Sequence, residues 1–301
     1  MNHMSQETIY YLWDCLQYLV NGIAQGSLYA LMALGYTMVY GIIRLVNFAH
    51  GEFLMIGAMG GYYAIHANLP MPVAIAVAMF SSGVVAVLVE RIIYRPIRGA
   101  GRIPALITAI GASLFFQYAG QLFFGAEPKS IPPFIVEKIY TLGEITISNI
   151  QICLFLITFI VLIFLWWLTH FTKIGKAMRA TSFNLNAAEL MGINTNRIIS
   201  FTFFLGASLA GLAGMLMSYT MSVDPLMGTN LGTKAFVSAV VGGIGIIPGA
   251  ALGGFILGIA ENLVAGLYKS SYRDAVSFLI LIIILLIKPS GILGKNIKEK
   301  V

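Results

Sequence analysis

The stretch from Phe53 to Val89, FLMIGAMGGYYAIHANLPMPVAIAVAMFSSGVVAVLV, contains no Asp, Glu, Lys or Arg across 37 residues. A helix that crosses a bilayer needs about 20 consecutive apolar residues. The sequence Asn68-Leu69-Pro70-Met71-Pro72, in the middle of this stretch, is typical of a turn. The stretch therefore predicts two membrane crossings that are joined by a short connection.

Similar charge-free stretches recur along the chain. They predict crossings at 18–41, 48–66, 72–94, 103–124, 150–169, 198–219, 232–246, 249–268 and 274–288. The seventh is short and ends in Gly242-Gly243-Ile244-Gly245, so it either crosses the membrane or re-enters it. The pattern predicts an all-α, polytopic transmembrane bundle of eight or nine segments, some of them short or broken by glycine. Residues 1–301 form a single transmembrane domain in this interpretation.

Composition and charge agree with a membrane protein. Of the 301 residues 58% are hydrophobic and 10% are charged, whereas a soluble domain carries about 25% charged residues. The net charge of +6 comes from bases that cluster in a few segments. Twelve of the 18 lie in three places: Arg91, Arg95, Arg98 and Arg102; Lys173, Lys176, Arg179 and Arg197; and Lys288, Lys295, Lys298 and Lys300.

These clusters predict the orientation of the chain. Basic segments next to membrane helices lie in the cytoplasm, and the first 43 residues contain no Lys or Arg. We therefore expect the N-terminus outside and the C-terminus inside, which requires an odd number of crossings. Because the bases mark topology, nucleic-acid binding is not predicted.

Glycine is frequent, with 32 residues, and it often forms pairs four residues apart. Such pairs allow membrane helices to approach closely. Gly22/Gly26, Gly57/Gly61, Gly249/Gly253 and Gly254/Gly258 are examples. They are interpreted as packing within the chain or, alternatively, as an interface between subunits.

The loop 125–149 follows the fourth predicted crossing and would lie outside. Tyr140–Ile150, YTLGEITISNI, alternates apolar and polar residues around a glycine, a pattern that favours a small β-hairpin. This hairpin could cover the outer opening, dock an external partner or serve only as a structural support.

Polar residues near helix ends provide the first candidate site. In Asn47-Phe48-Ala49-His50-Gly51-Glu52, Asn47 can cap the following helix, and Glu52 lies in its first turns, where the helix dipole favours an acid. Arg44 and His50 are the possible local partners of Glu52. Because an ionisable group next to an apolar stretch is costly, Asn47, His50 and Glu52 are candidates for a pathway or gate, with capping as the alternative.

A second acid, Glu261, lies inside a predicted crossing and should face the bundle interior or a polar cavity. It is a further pathway candidate. Lys234 opens the glycine-rich segment, and the stretch Val241–Gly254 contains Pro248. A broken membrane helix of this kind lines a substrate path in some transporters, although close packing explains it equally well.

Enzyme motifs are missing from the sequence. It contains no H-E-x-x-H, C-x-x-C, G-x-S-x-G or G-x-x-x-x-G-K-[ST] pattern. We therefore expect no catalytic residue, no metal site and no ATP-binding loop in this chain. A transporter component, a channel or a membrane scaffold remains.

The predicted cytoplasmic loop 170–197 contains a short helix. Asn184 or Ser182 can cap it, and Gly192 ends it after Leu185 to Met191. Leu185, Ala188 and Met191 are expected to share an apolar face, which would pack on the inner ends of the crossings or on a cytoplasmic partner.

Asn186-Ala187-Ala188-x-x-x-Gly192 resembles the E-A-A-x-x-x-G coupling loop of ABC importer permeases, with Asn186 in place of the Glu. The stretches Gly35–Ile43 and Asn47–Glu52 are similar to those of the shorter permease of high-affinity branched-chain amino acid importers. So are AELMGINTNR at 188–197 and the ending Pro289–Gly294. The resemblance extends from about residue 18 to residue 294.

This resemblance implies an assembly. A second, longer permease would pair with this chain in the plasma (inner) membrane of a bacterium or archaeon. Two cytoplasmic ATPase subunits would bind ATP and dock on Asn186, Ala187, Ala188 and Gly192. A periplasmic or tethered binding protein would deliver branched-chain amino acids.

Two alternatives remain at this point. Permeases with a similar NFAHGE stretch serve urea and short amides. An ion-coupled secondary transporter or channel could instead use His50, Glu52 and Glu261 as ion sites.

Overall fold

The computed structural model describes residues 2–132 and 136–294. Lys295, Lys298 and Lys300, which entered the topology prediction, lie outside this part. The helices within it are α1 Asn2–Ile43, α2 His50–His66, α3 Met71–Val89, α4 Arg95–Ile97, α5 Arg102–Phe124, α6 Asn149–Phe171, α7 Lys173–Phe183, α8 Leu185–Leu190, α9 Thr195–Met217, α10 Met227–Gly242, α11 Ile247–Leu267 and α12 Arg273–Ile287. Two strands, β1 Ile139–Leu142 and β2 Ile145–Ser148, lie between α5 and α6.

Each of the nine predicted crossings corresponds to one helix. Over the described residues, seven helical spans are long and apolar enough to cross a membrane: Tyr10–Ile43, Met71–Ile97, Ile103–Phe124, Asn149–Phe171, Thr195–Met217, Ile247–Leu267 and Ser270–Ile287. α2 has 17 residues and α10 has 16. At about 1.5 Å per residue these two helices are shorter than the bilayer core, which is about 30 Å thick. The protein is thus a multi-pass helical membrane protein with two short helices.

α1 and α9 form the centre of the bundle, and both are largely buried. α1 packs against α6, α9, α10 and α11. At its crossing with α11, the added Cβ of any larger residue at Gly258 would collide with the backbone at Gly26 and Gly22, and one at Gly254 would collide with Ala30. The glycine pairs here are therefore packed within the chain, as the first of the two interpretations predicted.

α2 and α10 begin inside the bundle. The ring of His50 lies beside Gly35, eight residues before the end of α1, so the 44–49 segment turns back into the protein. Gly51, in the first turn of α2, packs on the backbone of Gly228 and Gly232 in α10. The N-terminal turns of two short helices therefore meet, which brings the stretch around Glu52 to this contact.

The break between α10 and α11 is closed by the C-terminal segment. Gly243 and Gly245 have φ values of 116° and 89°, which favour glycine. The amide of Ile292 donates to the carbonyl of Val241 at 2.9 Å, and that of Leu293 donates to Gly242 at 3.0 Å. The carbonyls at the end of α10 are therefore satisfied by protein, and this favours the packing interpretation of the glycine-rich stretch.

β1 and β2 form an antiparallel hairpin, with Ile139 opposite Ser148 and Leu142 opposite Ile145. Gly143, at φ 66°, makes the tight turn. The hairpin is fixed to α1 through Gln17, whose Oε1 accepts from the Thr146 amide at 2.8 Å and whose Nε2 donates to the Thr146 carbonyl at 3.0 Å. The hairpin is therefore held against the beginning of α1.

Candidate functional site

α8 is a capped, six-residue helix on the surface. The Oδ1 atom of Asn184 accepts from the Ala187 amide at 3.0 Å. At the other end the Gly192 amide donates to the Glu189 carbonyl at 2.9 Å, and the Ile193 amide donates to the Ala188 carbonyl at 3.0 Å. Gly192 has φ 81°. These two bonds form a Schellman motif, which places glycine in the left-handed conformation. The predicted cap and glycine stop are both confirmed.

The expected apolar face of α8 is wrong. Ala188 is buried, whereas Leu190 and Met191 are 88% and 82% exposed. Because each residue advances about 100° around a helix, Leu185 and Met191 lie roughly 120° apart, so the three residues do not share one narrow face. Ala188 is the buried residue of α8, and Leu190 and Met191 point into solvent together with Phe183, which is 87% exposed.

The α7–α8 unit is attached to the two central helices. Thr195 Oγ1, at the start of α9, donates to the carboxylate oxygen Oε1 of Glu189 at 2.5 Å. Arg44, after the end of α1, donates to the Ser182 carbonyl at 3.5 Å. α8 is therefore bonded directly to α9, and α7 is bonded more weakly to the segment that follows α1.

Asn47 forms the turn that precedes α2. Its Oδ1 accepts from the Ala49 amide at 3.1 Å and from the Tyr94 hydroxyl at 2.8 Å. The predicted bond to the amide two residues on is present, although the helix begins only at His50. Asn47 thus links the start of α2 to the end of the α3 segment.

Glu52 is fully buried and does not bind its expected local partners. Ser113 Oγ and Gln117 Nε2, both from α5, donate to its Oε1 at 3.0 and 3.4 Å. The Oε2 atom lies beside Gly228 and accepts no hydrogen bond from the described residues. Arg44 instead points to the Ser182 carbonyl. The carboxyl group is therefore held by neutral donors.

The expected pairing of His50 with Glu52 also fails, for a geometric reason. Two residues apart on a helix means about 200° of rotation, so the two side chains leave α2 on opposite sides. The buried His50 ring packs edge-on against Tyr36, with ring centroids 5.3 Å apart.

Glu261 lies inside the bundle, as predicted. It receives hydrogen bonds from Tyr29 of α1 at 2.8 Å and from Ser277 of α12. Lys234 of α10 lies 2.9 Å from Glu261 and 3.0 Å from Asp274. Four helices therefore meet at one ion-pair network that local sequence did not indicate.

Glu90 is a third buried acid, and the sequence patterns did not identify it as a candidate. It begins a π-helical turn, Glu90–Tyr94, forms an ion pair with Arg98 and accepts from Ser200 Oγ at 2.6 Å. Arg98 also donates to Asn196 at 2.9 Å. Glu90 directly follows the charge-free stretch that ends at Val89, and its partners Arg98 and Ser200 come from segments that the local sequence does not bring to it.

Comparisons with known proteins match nearly the whole chain. A family model described as "Branched-chain amino acid transport system / permease component" matches residues 18–285. The high-affinity branched-chain amino acid transport system permease protein BraD of Pseudomonas aeruginosa is 42% identical over 305 residues, covering 96% of this chain and 99% of that protein. LivH of Escherichia coli K12, with the same description, is 40% identical over 313 residues, covering 99% and 100%.

A more distant relative also matches over most of both chains. The probable branched-chain amino acid transport permease protein LivH of Methanocaldococcus jannaschii is 28% identical over 298 residues, covering 93% of each chain. The residues matched by the family model, 18–285, include the α8 loop, the start of α2 and the α10–α11 region.

Proposed function

Because the chain belongs to the family of branched-chain amino acid transport permease components, we propose that it is a membrane subunit of an ATP-driven importer. It forms part of the translocation path for branched-chain, hydrophobic amino acids. A binding protein on the outer side delivers the substrate, and ATP is bound by partner subunits. The chain orients with its N-terminus outside and its C-terminus inside the plasma membrane.

The observation that carries this proposal is the construction of α8. Both ends of α8 are capped, and the exposed side chains of Phe183 at the end of α7, Leu190 of α8 and Met191 give a partner an apolar surface. Asn186 and Ala187 are also exposed on the outer side of this helix. A docked ATPase subunit would therefore contact the residues of the coupling motif.

The mechanism follows from the attachment of α8. Closure of two ATPases would displace α8, and the Glu189–Thr195 bond would carry that movement into α9, which is packed against α1, α2 and α3. Substrate released from the binding protein would enter between this permease and a second, longer one. The free energy of ATP acts by favouring one of two conformations, so tight substrate binding is not required.

Gly192 provides the test. Val at φ 81° is strained by roughly 1–2 kcal/mol, so G192V should deform the end of α8. We expect ATP hydrolysis by the purified importer to continue while uptake of leucine into proteoliposomes falls at least tenfold.

The matched control is Gly99→Val. Gly99 also lies in a predicted cytoplasmic segment with open space around its Cα, but without a positive φ. The G99V substitution should leave leucine uptake unchanged, and membrane insertion should be normal in both G192V and G99V. Full uptake by G192V would reject the coupling role of α8.

A further inference from the structure

A cavity of about 440 Å³ opens at the end of the bundle that carries the hairpin. Its walls come from α1, α6, α11, the start of α12 and the segment before β1. Small-molecule sites commonly have volumes of about 300–1,000 Å³. The cavity lies within one chain, and so it does not require a second permease.

Two charges of opposite sign line this cavity without binding each other. Arg273 forms no ion pair with any described residue, and its Nε is buried without a hydrogen-bond partner. The neighbouring Asp274 is engaged by Lys234 on another side of α12. Glu137 accepts one hydrogen bond, from Ser148 Oγ at 2.9 Å. A guanidinium atom that is buried and unpaired is costly, and this suggests a ligand group rather than a structural role.

The remaining walls include hydrogen-bonded amides, hydroxyl groups and apolar side chains. Gln151 Nε2 donates to Asn21 Oδ1 at 2.9 Å, and Asn262 Nδ2 donates to the Gly258 carbonyl at 2.9 Å. Leu28 and Leu154 are both buried and contribute an apolar surface. The cavity therefore combines a cation, an anion and an aliphatic wall.

We propose that this cavity binds a zwitterionic α-amino acid with an aliphatic side chain. Arg273 binds the carboxylate, Glu137 binds the ammonium group, and the side chain lies against Leu28 and Leu154. The planar guanidinium is suited to a carboxylate because it donates two parallel hydrogen bonds. The proposal rests on the proposed function and adds a place, at the hairpin end, where substrate is held before it passes inward.

The ligand chemistry has a second source, since the headgroup of phosphatidylethanolamine also joins an ammonium group to an anion. The experiment must therefore vary the lipid. The purified permease–ATPase complex, without binding protein, is placed in nanodiscs of phosphatidylcholine and phosphatidylglycerol, with and without phosphatidylethanolamine. Binding of labelled leucine is measured, and leucinol, which lacks the carboxylate, and 4-methylpentanoate, which lacks the ammonium group, compete.

We expect wild type to prefer leucine over leucinol and over 4-methylpentanoate by at least tenfold each. R273Q should abolish the first preference and leave the second, while E137Q should do the reverse. Glu144→Gln, on the hairpin turn outside the cavity, should keep both. Because each variant is compared with itself across ligands, a general loss of folding would not produce this pattern.

The proposal is overturned if wild type binds no leucine without the binding protein, or if R273Q keeps the preference for leucine over leucinol. It is equally overturned if phosphatidylethanolamine displaces leucine, because the site then belongs to lipid. ATP-driven leucine uptake by the complete wild-type importer is measured in parallel. If the complete importer takes up leucine but the expected ligand preferences of wild type, R273Q and E137Q are not seen, only this site is rejected. If the importer takes up no amino acid, the proposed function is rejected.

Discussion

Glu52 and Glu261 are both buried acids, but their surroundings differ. Glu261 is neutralised by Lys234 at 2.9 Å and receives two hydroxyl hydrogen bonds. Glu52 has only neutral donors, and one of its oxygens accepts no hydrogen bond from the described residues. Among the four pathway or gate candidates, which also include Asn47 and His50, Glu52 is the buried acid without a charged partner in the described residues.

Two matched substitutions distinguish these roles. E52Q keeps an oxygen for Ser113 and Gln117, so we expect an unchanged melting temperature of the complex in detergent and a several-fold slower uptake. E261Q leaves Lys234 with only Asp274 as a charged partner, and breaking a buried pair costs about 3 kcal/mol. We expect it to lower the melting temperature by several degrees. Normal uptake by E52Q would assign Glu52 a structural role only, in the contact between α2 and α5.

At the scale of elements, the close approach of α1 and α11 depends on small residues. Gly22 and Gly26 on one helix face Gly254 and Gly258 on the other, and each Cα lies against the backbone of the partner helix. Without water to drive helices together, association in a bilayer rests on such packing. The glycine pairs are therefore structural for this contact.

Gly258→Leu should prevent this approach. Neither helix backbone can move aside in a packed core, so we expect loss of the folded monomer peak in size-exclusion chromatography after detergent extraction. Gly111→Leu is the control, because Gly111 on α5 is exposed with open space around its Cα. It should give wild-type yield. An intact peak for Gly258→Leu would show that α1 and α11 are not held in this way.

At the scale of the whole molecule, the energy source separates the importer from the secondary transporter. Within the described residues the buried carboxylates lie in three separate groups, at Glu52, Glu90 and Glu261, each bound by its own set of side chains. In the described part of the chain, no hydrogen bond or ion pair joins one group to another as a proton relay would require. The α7–α8 surface, by contrast, is suited to a cytoplasmic partner.

Transport in vesicles checks this difference. We expect leucine uptake to require ATP together with the ATPase subunits, the second permease and the binding protein. An imposed proton gradient without ATP should give less than a tenth of that rate. The ATPase subunits should remain bound to the permease during purification, and uptake by this chain alone under a proton gradient would favour the ion-coupled alternative.

The sequence by itself determined which segments are membrane helices and how α8 begins and ends. Apolar runs of sufficient length must be helical in a bilayer, because backbone polar groups find no water there. Caps and glycine stops depend on neighbours within a few residues, so Asn184 and Gly192 could be assigned from local spacing. The alternation around Gly143 identified the hairpin on the same grounds.

Only the tertiary structure decided which polar groups meet. Glu52 binds Ser113 and Gln117, 61 and 65 residues away, and Glu261 binds Lys234 across 27 residues. Hydropathy along the chain gives the length of each helix, but not its rotation or its neighbours. Those follow from how glycine faces pack together. The tertiary structure also places Arg273 and Glu137 around one cavity, which no local pattern could indicate.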